Sequence, residues 1–189
     1  MNKAIFLDRD GTVNIEKHYL YKIEDFEFIP GAVDAMRVLQ NAGYKLIIIT
    51  NQSGIGRGYY TERDFEILNN WMLEELVKLG VRINKVYYCP HHPNAKIEMY
   101  RKKCNCRKPA LGLFFQAVKE FDLDLSKCFS VGDKARDCKI CEQTECRGFL
   151  IENNGLKENI EVFKGGKEKK ISYVSDLYEA AQIITHHNI

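Results

Sequence analysis

The sequence predicts an α/β fold, namely a three-layer Rossmann-like parallel sheet with helices on both faces. Short apolar runs rich in β-branched and aromatic residues recur along the chain, and helical patterns of apolar residues lie between most of them. This alternation is typical of parallel strands that are joined by crossover helices. The chain has 189 residues, of which 45% are hydrophobic, which is enough for one core and too little for two ordinary domains. We therefore expect a single domain over residues 1–189.

The apolar runs and the helical patterns give approximate bounds for each element. Six runs are predicted to be strands, the last of them weakly: 4–7, 46–49, 86–88, 128–131, 149–151 and 171–174. Four helices are predicted: 31–42, 61–79, 110–121 and roughly 175–185. The second helix has the clearest start, because Thr61 can serve as its N-cap before the acidic residues Glu62 and Asp64. Gly43 and Gly80 follow two of the helices, where a left-handed residue is favoured.

Two segments interrupt the alternation of strands and helices. Residues 89–108 have no apolar periodicity and are predicted to form a long loop, which in a compact domain needs a function or a cross-link. Residues 153–170 are polar and are predicted to form an excursion on the surface.

Composition and charge narrow the range of partners and compartments. The formal net charge of +2 gives no overall field that would favour nucleic acid or a membrane as a partner. The apolar run near the start ends at Asp8, too early for a signal peptide, and no run of about 18 apolar residues occurs. We expect a cytoplasmic monomer. In a reducing cytosol, seven cysteines are not expected to form a disulfide framework, which leaves metal binding, catalysis or burial as their roles.

Polar residues follow the predicted strands, where ligands bind in a parallel α/β sheet. Asp8 and Asp10 follow the first strand and Asp133 the fourth, so three carboxylates converge on one edge. Their repulsion would be costly without a cation, and oxygen ligands with room for water favour Mg²⁺ over Zn²⁺. Thr50 and Asn51 follow the second strand and could bind a phosphate together with backbone N–H groups and a nearby lysine. These groups together indicate a phosphoryl-transfer site.

The long loop contains a second candidate metal site with a different set of ligands. A Cys-x-His pair and a Cys-x-Cys pair are separated by twelve residues, and they comprise Cys89, His91, Cys104 and Cys106. Three thiolates and an imidazole suit tetrahedral Zn²⁺, and four protein ligands leave no open position, so the zinc is expected to be structural. The alternative is that the thiols are free and buried beside a surface histidine, although a polar loop offers little core to bury them. His92 is not required as a ligand.

The remaining cysteines are interpreted as core residues. Cys138 and Cys141 lie three residues apart in a helix expected after Asp137, and no fourth ligand accompanies them and Cys146. Cys128 begins a predicted strand. Free cysteine is among the residues most often buried, so packing is the favoured role for all four.

Four short motifs resemble the signatures of haloacid dehalogenase-like phosphatases and occur in the order that the family shows. They are DRDGT at 8–12, IIITN at 47–51, RKP at 107–109 and VGDKARD at 131–137. More narrowly, FLDRDGT, NQSGIGRGYYT, YYCPHHP and CNCRKP are similar to the D-glycero-D-manno-heptose 1,7-bisphosphate phosphatases and to the related histidinol-phosphate phosphatases. The resemblance implies a haloacid dehalogenase-like fold, and only short segments are available to form a cap domain, so we expect none.

The resemblance also implies roles for the motif residues. Asp8 would be the nucleophile that forms an aspartyl-phosphate, and Asp10 would act as general acid and then general base. Mg²⁺ would be held by the carboxylates of Asp8 and Asp133 and by the backbone carbonyl of Asp10. Thr50 and Lys108 would hold the oxygens of the phosphoryl group that is transferred.

Further residues map onto segments that contact the substrate in the family. They are Glu16, Lys17, His18, Tyr19, Asn51, Gln52, Ser53, Arg107 and Lys134. Asp137 would orient Lys108 or a water bound to the metal.

Three functions remain open at this stage. The first is a Mg²⁺-dependent phosphatase acting on the 7-phosphate of the heptose bisphosphate, which the NQSG and RGYYT segments favour. The second is the same chemistry on histidinol phosphate. The third is a zinc-stabilised binding module without catalysis, for which the basic run RKKCNCRK is the only supporting feature. We expect a small phosphorylated sugar as the partner, and neither nucleic acid nor a membrane.

Overall fold

The predicted parallel sheet is present in the computed structural model, which describes residues 1–152 and 170–186. In that part of the chain the sheet has six strands: β1 (Ala4–Leu7), β2 (Lys45–Asn51), β3 (Lys85–Cys89), β4 (Phe129–Gly132), β5 (Arg147–Ile151) and β6 (Ile171–Val174). Their order is β3-β2-β1-β4-β5-β6, and every neighbouring pair is parallel. The strand order therefore reverses between β1 and β4, where ligands bind in sheets of this kind. All six predicted strands are confirmed.

Helices connect the strands and cover both faces of the sheet. They are α1 (Ala32–Asn41), α2 (Ser53–Arg57), α3 (Glu62–Lys78), α4 (Gly112–Phe121), α5 (Ile140–Gln143) and α6 (Leu177–His186). The predicted start of α3 is confirmed, because the Thr61 side chain accepts from the Asp64 N–H while the Asp64 carboxylate accepts from the Thr61 N–H. Gly43 and Gly80 have φ of 85° and 79°, which is the left-handed conformation predicted for them. The sequence did not predict α2, because five residues are too few to show a helical period.

The two faces of the sheet bury separate apolar clusters, because side chains alternate along each strand. From β1, Ile5 and Leu7 join the cluster formed with α1, α3 and α6, whereas Ala4 and Phe6 join the cluster formed with α4. These two clusters are the interfaces of the predicted three-layer fold. Cys128, Cys138, Cys141 and Cys146 are all fully buried in the second cluster, as predicted.

The long loop between β3 and α4 carries one short 3₁₀ helix, Glu98–Tyr100, and is otherwise irregular. The connection between β1 and β2 holds a 3₁₀ helix, Ile23–Asp25, and α1. Both connections lie wholly within the described residues, and neither forms a separate domain over the sheet. The predicted surface excursion at 153–170 lies outside the described residues except for Lys170. Among the helices of the described ranges, none combines the length and apolar character needed to cross a membrane.

Candidate active site

Three buried carboxyl groups meet where the strand order reverses. Asp8 follows β1 directly, Asp133 follows β4 directly, and Asp137 lies in the 3₁₀ helix after β4, Ala135–Cys138. One oxygen from each of these side chains lies within 4.8 Å of the others. The predicted convergence of Asp8 and Asp133 is therefore present. Asp137 was predicted only to orient a neighbour, and it lies equally close.

The Lys108 ammonium lies between two of these carboxyl groups, those of Asp8 and Asp137. Its Nζ lies 2.9 Å from Asp8 Oδ1 and 2.7 Å from Asp137 Oδ1, and it donates to the Ile49 carbonyl at 2.5 Å. The Lys108 backbone is held as well, because its N–H donates to Asn51 Oδ1 and its carbonyl accepts from Asn51 Nδ2, at 3.0 and 3.1 Å. Through these two hydrogen bonds, Asn51 links the end of the long loop to the end of β2.

Burial and crowding of like charges perturb the ionisation of the site. Burial first, and then the charge of Asp137, raise the pKa of Asp8 to about 6, although Lys108 opposes the shift. Burial and the charge of Asp8 also raise the pKa of Asp133. For Lys108, burial would lower the pKa, but Asp137 and Asp8 outweigh it and raise the pKa. The carboxyl groups therefore carry more negative charge than one buried ammonium neutralises, which favours a bound cation.

A glycine allows the turn after β1 to approach Asp133. Gly11 has φ of 85°, and a Cβ atom on it would lie 2.5 Å from Asp133 Oδ2. Any side chain at this position would therefore displace the carboxylate as well as strain the backbone. This close approach explains why the DRDGT motif has a glycine at position 11.

Asp10 is held by donors on three sides. The Arg9 guanidinium donates to both of its oxygens at 2.9–3.2 Å, Asn14 Nδ2 donates to Oδ1 at 3.0 Å, and Gln52 Nε2 donates to Oδ2 at 3.0 Å. Arg9 is itself only 1% exposed and lies over the Phe65 ring. No role was predicted for Arg9 or Asn14 from the sequence. A buried arginine is uncommon, so the only available signal was its position between two aspartates.

Thr50 lies beside this group at the end of β2. It is 1% exposed, and its Oγ1 accepts a hydrogen bond from Gln52 Nε2 at 2.8 Å. Ser53, which begins α2, is half-buried. Gln52, predicted to contact the substrate, is 2% exposed, and its side chain forms hydrogen bonds with Asp10, Thr50 and Tyr60.

The predicted substrate loop after β1 is exposed and partly left-handed. His18 and Tyr19 have φ of 37° and 64°, and the Tyr19 ring lies 4.5 Å from the Tyr59 ring. Lys17 forms an ion pair with Glu27 at 2.5 Å. Burial, and then the charge of Asp10, raise the pKa of Glu16. After β4, Lys134 Nζ lies 3.3 Å from Asp133 Oδ2.

The four predicted zinc ligands come together in the long loop. One ligand atom from each of Cys89, His91, Cys104 and Cys106 lies within 4.8 Å of the others. Cys89 Sγ is 3.1 Å from Cys106 Sγ and 3.6 Å from Cys104 Sγ, and His91 Nδ1 is 3.2 Å from Cys106 Sγ. All four cysteine and histidine side chains therefore point to one centre.

This cluster adjoins the predicted phosphate and substrate residues. Arg107, which follows Cys106 directly, donates from Nη1 to the His91 carbonyl at 3.3 Å. His92 points away from the cluster, accepting from the Asn94 N–H and meeting Arg57 Nη2 at 3.0 Å through its other ring nitrogen. The cluster thus fixes the segment from which Arg107 and Lys108 project.

Comparison with known proteins gives consistent matches. The family model described as polynucleotide kinase 3 phosphatase matches residues 3–175. D-glycero-beta-D-manno-heptose-1,7-bisphosphate 7-phosphatase from Haemophilus influenzae is 50% identical over 139 residues, covering 74% of this chain and 75% of that protein. The protein of the same name from Pasteurella multocida is 42% identical over 174 residues, covering 92% of this chain and 91% of that protein. The solved structure of D,D-heptose 1.7-bisphosphate phosphatase from B. bronchiseptica, complexed with magnesium and phosphate, is 28% identical, with a TM-score of 0.81 and 99% coverage of both chains.

Proposed function

Because the chain belongs to the polynucleotide kinase 3 phosphatase family and to the D-glycero-beta-D-manno-heptose-1,7-bisphosphate 7-phosphatases, we propose that it is a Mg²⁺-dependent phosphatase. Its substrate is D-glycero-D-manno-heptose 1,7-bisphosphate, from which it removes the 7-phosphate. The observation that carries the proposal is the buried Asp8 carboxylate, 2.9 Å from the Lys108 ammonium and grouped with Asp133 where the strand order reverses. The net charge of +2 favours a small substrate over a polynucleotide.

The residues at the site fit a magnesium ion. Asp8 and Asp133 offer only oxygen ligands, which Mg²⁺ prefers, and their carboxyl oxygens lie within 4.8 Å of each other. Burial is the largest cause that raises the pKa of each, and a cation between them would favour the charged forms. Their carboxylates would hold the ion together with the backbone carbonyl of Asp10. When bound, Mg²⁺ supplies charge that neutralises the phosphate and favours its approach to a carboxylate nucleophile.

In the first half of the reaction, Asp8 attacks the phosphorus atom. A bond forms between an Asp8 oxygen and phosphorus while the bond from phosphorus to the sugar oxygen breaks, which leaves an aspartyl-phosphate. Asp10 protonates the sugar oxygen as it departs. Lys108 and Thr50 donate hydrogen bonds to the phosphoryl oxygens, where negative charge must be stabilised.

In the second half, water cleaves the aspartyl-phosphate. Asp10, now a carboxylate, takes a proton from the water as the water oxygen attacks phosphorus. The bond between phosphorus and Asp8 breaks, inorganic phosphate leaves, and the Asp8 carboxylate is regenerated. Asp137 keeps Lys108 charged and in place throughout, because its Oδ1 lies 2.7 Å from Nζ.

The substrate is held by groups around the rim of this site. We assign contacts with the sugar and its second phosphate to Glu16, His18, Tyr19, Arg107 and Lys134. Lys17, Asn51 and Ser53 line the same segments, and Asn51 acts by holding Lys108. An arginine offers a planar fork of donors suited to a phosphate, which is the role we give to Arg107.

We propose Zn²⁺ for the cluster of three cysteines and one histidine. Zinc–sulfur bonds of about 2.3 Å in a tetrahedron would separate the sulfur atoms by about 3.8 Å. The separations of 3.1 and 3.6 Å from Cys89 Sγ are slightly shorter and agree with a shared centre. The zinc would be structural, since four protein ligands complete its coordination. Its contribution to the reaction is to keep the segment with Arg107 and Lys108 in position.

The substrate proposal is tested by turnover with purified protein and Mg²⁺. We expect kcat/KM for the heptose 1,7-bisphosphate to exceed that for histidinol phosphate, with phosphate released from position 7. Equal or greater activity on histidinol phosphate would contradict the substrate. An absence of phosphate release from every phosphomonoester tested would contradict the enzyme class as well.

A further inference from the structure

The Gln52 carboxamide connects the proposed general acid to the proposed phosphate-binding threonine. A carboxamide has two N–H donors and one carbonyl acceptor. Gln52 Nε2 donates to Asp10 Oδ2 at 3.0 Å and to Thr50 Oγ1 at 2.8 Å. Gln52 Oε1 accepts from the Tyr60 hydroxyl at 2.5 Å. Both donors and the carbonyl are thus used within the protein, in a side chain that is 2% exposed.

Tyr60 determines which way round the Gln52 carboxamide lies. When Asp10 is a carboxylate, as it must be to take a proton from water, it accepts hydrogen bonds and donates none, so the NH₂ end of Gln52 faces it. The carbonyl end then needs a donor on the opposite side, and the Tyr60 hydroxyl is that donor. Burial raises the pKa of Tyr60, so the hydroxyl keeps its proton over the whole working range of pH.

The orientation of Gln52 has consequences for both of its partners. Because Thr50 Oγ1 accepts from Gln52, its own hydrogen is left to donate elsewhere, and a phosphoryl oxygen requires a donor. The Asp10 carboxylate is held at Oδ2 by Gln52, in addition to the Arg9 guanidinium and Asn14. A reversed amide would repel Asp10 and compete for the Thr50 hydrogen.

We infer that Gln52 and Tyr60 are positioning residues, which set the Asp10 carboxylate and the Thr50 hydroxyl for proton transfer and phosphate binding. The inference rests on the proposed phosphatase function. It assigns to Tyr60 a role in the reaction that acts through Gln52, which is hydrogen-bonded to Tyr60, Asp10 and Thr50. It also replaces the predicted substrate contact of Gln52 by an action through its two neighbours.

Packing fixes the Tyr60 hydroxyl independently of its hydrogen bond. The Tyr60 ring stacks on the Tyr21 ring, with centroids 5.3 Å apart and planes 13° from parallel. The ring also lies against Gly54 in α2, where an added Cβ would overlap the ring atoms. Gly54 has an ordinary helical backbone, so its substitution by alanine would displace the ring without straining φ.

The test is Tyr60→Phe, which removes the hydroxyl and keeps the stacked ring. Proton transfer by Asp10 matters for a sugar phosphate, whose leaving alkoxide is strongly basic, and little for p-nitrophenyl phosphate, whose leaving group needs no proton. We expect kcat for the heptose bisphosphate to fall by about 10- to 100-fold, and kcat for p-nitrophenyl phosphate to fall much less. KM should change less than kcat for the sugar substrate.

Two further variants separate positioning from general damage. Tyr21→Phe, which removes a hydroxyl from the stacked partner ring, should retain wild-type kcat for both substrates. Gly54→Ala, which moves the Tyr60 ring and leaves its hydroxyl, should reproduce the selective loss seen with Tyr60→Phe. Thermal unfolding of each variant checks that it is folded at the assay temperature.

The outcomes distinguish this inference from the proposed function. In Tyr60→Phe, an equal loss on both substrates would overturn the positioning of Asp10, and no loss on either would overturn the positioning of both Asp10 and Thr50. Either result would leave the phosphatase function intact. Wild-type protein without activity on either substrate would overturn the proposed function, and the positioning role with it. A selective loss on the sugar phosphate, shared by Gly54→Ala and absent from Tyr21→Phe, supports the inference.

Discussion

At the scale of single residues, a single ammonium joins the buried carboxylates of Asp8 and Asp137. Lys108 Nζ meets both at 2.7–2.9 Å, and the Ile49 carbonyl accepts its third hydrogen bond. A buried ammonium that uses all three donors within the protein has a single position, which is the property that a phosphate-binding cation requires. Substrate binding then exchanges one of these bonds for a phosphoryl oxygen instead of ordering a mobile side chain.

The nucleophile assignment is tested by Asp8→Asn. The amide keeps the size of the carboxylate and its acceptor oxygen toward Lys108, so the fold should be retained, but it cannot form an acyl phosphate. We expect phosphate release to fall by at least about 1,000-fold. Release of phosphate and near-ultraviolet circular dichroism are the two measurements.

The control for this substitution is Asp122→Asn. Asp122 follows α4, its carboxylate is highly exposed, and it meets the N-terminal amine rather than the site. The Asp122→Asn variant should release phosphate at the wild-type rate. Residual activity of Asp8→Asn above about one tenth of wild type would rule out Asp8 as the nucleophile.

Residue-level prediction placed residues correctly where their location follows from position along the chain, and missed contacts between residues distant in sequence. Asp8 and Asp133 could be paired in advance because carboxyl ends of parallel strands share an edge. The hydrogen bond between Tyr60 and Gln52 could not be predicted, because the side chain of a tyrosine after a glycine-rich segment can pack in many ways. Arg9 was missed because charged residues are normally exposed, so burial under Phe65 has no signature in the sequence.

At the scale of elements, the long loop is organised by its cysteine and histidine cluster. The loop joins β3 to α4 with one turn of 3₁₀ helix, and backbone hydrogen bonds such as that from the Ile97 N–H to the Gly56 carbonyl also hold it. The cluster links its two ends, since Cys89 ends β3 and Cys106 lies two residues before Lys108. Metal at this position would therefore couple the order of the loop to the geometry of the site.

Adjacent histidines allow a matched test of the zinc proposal. His91→Ala removes a ligand, so we expect the zinc content to fall well below one atom per chain and kcat/KM to fall with it. His92→Ala leaves the four ligands in place and should keep its zinc. Metal analysis by mass spectrometry, combined with thermal unfolding, measures both effects.

Either of two results would contradict this proposal. His91→Ala could retain a full zinc equivalent, or His92→Ala could lose as much zinc as His91→Ala. The comparison is informative because the two residues are neighbours with the same chemistry, and they differ in whether a ring nitrogen faces the cysteines.

The start of α3 offers a test of stability separate from the reaction. Thr61→Ala removes the side chain that accepts from the Asp64 N–H, so we expect the free energy of unfolding to fall by about 1 kcal/mol. For a chain of this size the melting temperature should fall by about 2–4 °C. Kinetic constants should be unchanged, and thermal unfolding with an activity assay measures both. Unaltered stability would show that the cap contributes nothing.

At the scale of the whole molecule, the topology explains why four separated motifs form one site. Parallel strands place their carboxyl ends on one edge, so residues 8, 50 and 133 meet although more than forty residues separate each from the next. The alternation of strands and helices in the sequence was enough to predict a parallel α/β sheet as the fold class. The register between β1 and β4, which sets how Asp8 faces Asp133, depends on side-chain packing that no single segment encodes.

We expect magnesium and pH together to set the stability of the whole molecule. The pKa of Asp8 is raised to about 6 in the folded protein, above its ordinary value of 3.8. The metal-free folded state therefore binds a proton more tightly than the unfolded state. It loses stability as the pH rises from about 4 to about 6. Magnesium should offset that loss, since it binds the carboxylate and must compete with a proton below pH 6.

We therefore expect Mg²⁺ to raise the melting temperature by several degrees at about pH 7.5 and by much less at about pH 5. Thermal unfolding with and without Mg²⁺ at the two values of pH is the measurement. Asp133→Asn removes one proposed ligand and should lose most of the shift, whereas Asp122→Asn should keep it. Equal shifts at both values of pH would show that Mg²⁺ does not bind through Asp8, because a proton on that carboxyl group would then have no effect on the affinity.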